Sequence, residues 1–245
     1  MKLYKSKRTR FKYDLDSLRI HFNFPGHRIP GNGDHGYGPL AAVVESFLDP
    51  GAWIPLHEHR NDEIVSWVPA GSMRHDDVTV GKLTVDQSHL LVMNAGSSFW
   101  HEERTNPEDP PLRMLQIFVR PHTVDLPPGI QHGPLLPAKP DTWRQLVGPV
   151  GSPAPFHVRN DIEILDIQVG ANSCVAFPGV PGWDMYLYVF TGEIEVGGIN
   201  FQEAETGLVQ KPDAHLTLNS VKSSVVVAFL IKPTAVFTRQ GTVGR

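Results

Sequence analysis

The apolar residues of this chain arrive in short, β-branched runs, and Gly, Pro, Asn or Asp punctuates them. The runs are 41–47, 63–68, 78–85, 89–93 and 114–119, then 162–169, 185–190, 193–196, 216–218 and 225–231. Runs of that length and make-up read as strands. Apolar spacing of helical period over ten or more residues is hard to find. With 22 Gly and 22 Pro in 245 residues, turns are favoured over long helices. Many short strands at close spacing predict an all-β chain folded as a sandwich or barrel.

The length suits one large domain or two small ones. Hydrophobic residues at 40% against 20% charged are enough to bury a real core. No apolar run approaches the ~18 residues of a membrane span. A single cysteine, Cys174, excludes an internal disulfide and a Cys-based zinc finger, and in its apolar stretch it reads as a buried small hydrophobe. A net charge of −4 gives no general attraction to nucleic acid, so no direct nucleic-acid partner is expected. Lys2, Lys5, Lys7, Arg8, Arg10 and Lys12 crowd the start, but Tyr13-Asp14-Leu15-Asp16 follows instead of an apolar stretch. That reads as a solvated first strand rather than a signal peptide, and a cytoplasmic location is expected.

The two halves resemble each other. Residues 63–73, from Glu63 through the Gly71 turn, align with 184–194, from Asp184 through Gly192. Residues 115–121 align with 227–233 in the same order. A duplicated β-domain is implied: an N-terminal domain 1–125, a Pro-rich linker 126–155 in which Trp143 packs down, and a shorter C-terminal domain 156–245.

Chemistry concentrates in the first half, in His57-Glu58-His59 and His101-Glu102-Glu103. Side chains alternate faces along a strand. His57 and His59 therefore share one face, His101 and Glu103 another, and Glu58 and Glu102 look away. Two such strands facing each other would set three imidazoles and one carboxylate around a point, a donor set for a divalent first-row metal with open positions. Glu63 counts to the same parity as His59 and stands as the alternative carboxylate, or else as a hydrogen-bonded support or a buried partner of Arg60 or Arg74. His75 and Asp77 read as fixing a turn near the site. In the second half Pro178 and Val180 fall where the histidine pair would be, and His157 and His215 are isolated, so no metal is expected there.

Gly51-(x)5-His57-x-His59-(x)3-Glu63 resembles the first cupin motif. With Gly71-x-Met73-x-His75-x-Asp77 and Ala95-Gly96-(x)4-His101-x-Glu103, the chain resembles the pirin family. The resemblance is strong over roughly 38–121 and weak over 180–233. It implies a bicupin: two β-barrels of the double-stranded β-helix type packed face to face, with one metal in the N-terminal barrel. It implies His57, His59, His101 and Glu103 as ligands, and Fe(II) before Ni, Cu, Mn, Co or Zn. Some pirins cleave flavonols such as quercetin with O2, so the implied activity is a quercetin 2,3-dioxygenase. Glu103 would be its catalytic base, with Glu63 in reserve, and Trp53, Trp67, Phe99 and Trp100 candidate walls for an aromatic substrate. Other pirins are iron-binding, redox-sensing partners of transcription factors, which keeps a protein partner in view, as does a bicupin acting on another small molecule. The chain departs from the family at Glu58, Glu102 and Ser98, where Pro, Ser and Gly are usual.

Overall fold

The computed structural model describes residues 1–8 and 13–245, and Arg10 and Lys12 of the basic start lie outside them. The described residues are almost wholly strand and turn, and none of their helices is long and apolar enough to cross a membrane. The first half makes two sheets. Seven strands run in the order Gly129–Pro134, His89–Asn94, Glu63–Trp67, Leu112–Val119, Leu40–Leu48, Leu18–Asn23 and Tyr13–Leu15. Four run in the order Trp53–His59, Phe99–Arg104, Ser72–Asp77 and Gly81–Asp86. The second half is one nine-stranded sheet wrapped on itself by its two longest members, Asp184–Val196 and Thr217–Ile231.

Three apolar clusters follow from strand alternation. Ile64, Met93, Phe99, Met114 and Phe118 face into the first barrel. Leu187, Ile194, Phe201 and Leu230 fill the second. Between them Val65, Trp67, Leu115 and Ile117 of one half meet Ile164, Tyr186, Tyr188 and Phe229 of the other. Two barrels packed face to face is the arrangement that the family resemblance implies.

Several element boundaries differ from the sequence reading. Residues 78–85 are not one strand. Asp77 Oδ1 accepts the Thr79 and Val80 amides, the chain turns at Gly81 with φ +79°, and a strand restarts. Residues 185–190 and 193–196 fuse into Asp184–Val196, and 216–218 and 225–231 lie within Thr217–Ile231 or at its edge, because register shifts let one strand bend through both walls. The Pro-rich segment 126–155 carries strand Gly129–Pro134 on the seven-stranded sheet and Arg144–Pro149 on the nine-stranded one. Trp143 does pack down, its ring 5.3 Å from Phe177. Lys2–Ser6 joins the sheet of the second half along Thr206–Gln210. Cys174 is exposed, because it opens the three-residue strand Cys174–Ala176, paired on one side only.

Candidate metal centre

The site grows out of the four-stranded sheet. Phe99 stands opposite His59 and His101 opposite His57 on one side; on the other, His101 stands opposite Asp77 and Glu103 opposite His75. Alternation along Phe99–Arg104 and Ser72–Asp77 buries every second residue, so Phe99, His101, Glu103, Met73, His75 and Asp77 all enter the barrel. A bulge sets Pro55 and Leu56 against one partner residue, and Pro55, which has no N–H, sits on an edge strand where none is needed. Its carbonyl accepts His57 Nδ1–H at 2.8 Å, which leaves Nε2 as the free lone pair.

The side chains converge. Ring centroids lie 4.3 Å apart for His57–His101, 5.0 Å for His57–His59 and 5.3 Å for His59–His101. Donor atoms of His57, His59 and His101 fall within 4.8 Å of one another, and so do those of His75, His101 and Glu103. His101 Nδ1 lies 3.8 Å from Glu103 Oε1. His101 is 0% exposed and Glu103 1%. Gln116 Nε2 donates to Glu103 Oε1 at 2.7 Å, and His75 Nε2–H donates to Asp77 Oδ2 at 2.8 Å.

Electrostatics prepare this cluster for a cation. Burial, with His57, His59 and His75 alongside, holds His101 far below the ordinary imidazole range. Burial lowers His57 and His75 as well, against the bonds to Pro55 and Asp77. The lowered imidazoles are neutral at pH 7 and carry lone pairs. Burial pushes the Glu103 carboxyl up to about 7, while the Gln116 bond pulls the other way. Both ring nitrogens of His101, and Nδ1 of His59 and of His75, are buried without a hydrogen-bond partner. Each unmatched buried polar atom costs about 1–3 kcal/mol. A divalent ion can take one lone pair from each ring and would relieve part of that cost, so the residues present fit a metal.

Other candidates from the sequence lie elsewhere. Glu63 is fully buried but faces the seam between the barrels, where Arg159 donates from Nε at 2.8 Å and Asn94 from Nδ2 at 2.5 Å. Its parity with His59 does not carry, because the chain turns between them at Asn61 with φ +52°. Its arginine is Arg159, not Arg60 or Arg74. Trp67 also faces the seam, donating Nε1–H to Asp166 at 3.0 Å. Trp53 and Trp100 are 59% and 45% exposed on the outer face. Of the four aromatics only Phe99 borders the cluster, its ring 6.3 Å from His101. Glu58 and Glu102 do look outward, bonded to Ser98 and to Trp53 and Arg104. Two contributors escaped sequence reading as members of the site: Gln116, whose signal is a lone amide in the apolar strand Leu112–Val119, and His75, read only as a turn residue. Asp77 fixes that turn, while His75 stacks on His101 at 5.0 Å.

Residues 16–119 match the model of the family described as Pirin. A Pseudomonas aeruginosa protein named "Putative quercetin 2,3-dioxygenase" is 28% identical over 213 residues, 86% of this chain and 90% of its own. The Escherichia coli protein named quercetin 2,3-dioxygenase is 20% identical over 220 residues, 89% of this chain and 92% of its own. Among solved structures, the bacterial pirin YhhW from Escherichia coli in complex with nickel(II) superposes with a TM-score of 0.82 at 17% identity, covering 95% of this chain and all of that one.

Proposed function

We propose that this chain, whose residues 16–119 match the Pirin family model, is a pirin-type metal-dependent dioxygenase cleaving flavonols such as quercetin with O2. The observation that carries the reading is the meeting of His57, His59 and His101 within 4.8 Å, with Glu103 joined to them through His101, and ring nitrogens there that have no hydrogen-bond partner among the described residues. Those four residues would hold the ion, Fe(II) first among the candidates. Once bound, it supplies a Lewis-acid centre with positions open to a flavonol oxygen and to O2.

The chain's own groups supply the rest. Glu103 is the base: Gln116 engages Oε1, so Oε2 is the atom that takes the proton of the flavonol 3-hydroxyl. Asp77 orients His75 behind Glu103, and Phe99 supplies an apolar wall against water.

The test is to load purified protein with each divalent metal under anaerobic conditions, admit O2, and follow quercetin absorbance together with O2 uptake. Stoichiometric loss of both, absent in His101→Ala, is expected. Metal-loaded protein that consumes neither would end the dioxygenase reading.

A further inference from the structure

The second barrel has its own cavity, of about 1020 Å³. By the repeat alignment it opens where the first barrel holds its histidines: Pro178 and Val180, in the place of His57 and His59, line it. No imidazole lines it. Half-buried Phe177, Val180 and Trp183 form one wall, and the buried Met185, Leu216 and Leu230 the floor. These side chains belong to the apolar filling of the second barrel, and the filling is incomplete on this side.

The polar groups at the inner end are already matched. Tyr37 donates its hydroxyl to Asp184 Oδ2 at 2.5 Å, Asp184 Oδ1 accepts the Lys211 amide at 2.7 Å, and Gln210 donates to the Tyr37 oxygen at 2.9 Å. The rim is different. Lys2 and Lys211 are exposed there, and the lysines paired with carboxylates among the described residues are Lys5, Lys222 and Lys232. Against these two unpaired ammonium groups the rim carries one carboxylate, Asp213, while the carboxylate of Asp184 lies buried at the inner end under hydrogen bonds from neutral donors. An apolar, aromatic-walled chamber with surplus positive charge at its mouth selects an apolar body with an anionic end.

We propose that the cavity of the second barrel is a metal-independent binding site for an aromatic organic acid, its rings against Phe177 and Trp183 and its anion at Lys2 and Lys211. The site stands apart from the metal centre, and its existence does not depend on what the first barrel catalyses.

Intact metal-loaded protein can be titrated with 8-anilinonaphthalene-1-sulfonate, an aromatic anion of suitable size, and with the uncharged N-phenyl-1-naphthylamine, by calorimetry and fluorescence. The sulfonate should bind with one-to-one stoichiometry and the neutral amine about fivefold more weakly or worse. Lys211→Ala, an exposed substitution that leaves the core untouched, should weaken the sulfonate about fivefold. Val180→Glu, which places a carboxylate in the chamber, should weaken both probes about tenfold or more. Metal content should be unchanged in both variants. Absence of one-to-one binding, equal affinity for the two probes, or affinities that neither substitution alters would each overturn the proposal.

Discussion

At the scale of single residues, three carboxylates that look alike in the sequence have unlike fates. Glu103 is enclosed with the imidazoles, Glu102 sits outside, and Glu63 is clamped by Arg159 at the seam. Glu103→Gln should weaken metal binding about 10–100-fold and abolish flavonol turnover, while Glu102→Gln changes either less than about threefold. Equal damage from both, read by metal analysis and absorbance, would contradict the strand register. Glu63→Gln should keep its metal and lose about 2–4 kcal/mol of stability in a denaturant titration, because the Arg159 charge is left without its counter-charge. His101→Ala should lose most metal and stay folded, since the barrels keep their own apolar cores. The raised Glu103 carboxyl adds a pH dependence. It must lose its proton to ligate, so metal affinity should climb about tenfold per pH unit up to about 7 and then level off. His101, held far below the ordinary imidazole range, is already neutral over that range and adds no proton to the count. Calorimetry in two buffers of different ionisation heat should find about one proton released per metal at pH 6 and none at pH 8. An affinity flat from pH 5 to 8 would remove Glu103 from the ligand set.

At the scale of elements, parity was a sound guide only inside an unbroken strand. Within Trp53–His59 and Phe99–Arg104 it placed the histidines, Glu103 and the outward glutamates, and it needed nothing beyond the period of two. Across the Asn61 turn it fails, because Glu63 opens a strand of the seven-stranded sheet and faces the seam. The aromatic candidates failed for a related reason: nearness in sequence to a histidine does not fix a face, so Trp100 points out while its neighbours Phe99 and His101 point in. Gln116 and His75 were hidden because their partners lie on other strands, and pairing between strands is set by register, which local composition does not reveal. Cys174 misled in another way. Apolar neighbours suggested a core position, but the strand is short and flanks only one partner. Cys174 should therefore react with a thiol reagent in native protein as completely as in denatured protein. Protection in the native state would return it to the core.

At the scale of the whole molecule, the duplication was legible in two short matches, but the way the halves are laced together was not. Arg159, beyond the seam, holds Glu63, and Tyr37 of the first half holds Asp184, which stands where Glu63 stands in the repeat. Strand Lys2–Ser6 lies on the sheet of the second half, and the last residues lie on the first: Thr242 N–H donates to Arg60 O, and Val243 and Gly244 N–H to Asp62. Arg120, fully buried, is held by Asp34 and by the Gly244 carbonyl. Such crossings join residues far apart in the chain, and no local pattern announces them. They sharpen one expectation. A fragment 1–125 would expose the seam residues Val65, Trp67, Leu115 and Ile117, lose Arg159 from Glu63, and leave Lys2–Ser6 without the strand it pairs. It would also lack Gly129–Pro134, so His89–Asn94 would become a bare sheet edge. Apolar surface returned to water costs about 25 cal/mol per Å², and a bare edge invites pairing between chains. Expressed alone, the fragment should aggregate or resist purification, whereas the full chain with His157 and His215 both changed to Ala should match the unaltered protein in metal content and turnover. Light scattering and metal analysis decide the matter: a soluble, monomeric, metal-loaded and fully active 1–125 would show that the first barrel needs neither the seam nor the crossed ends.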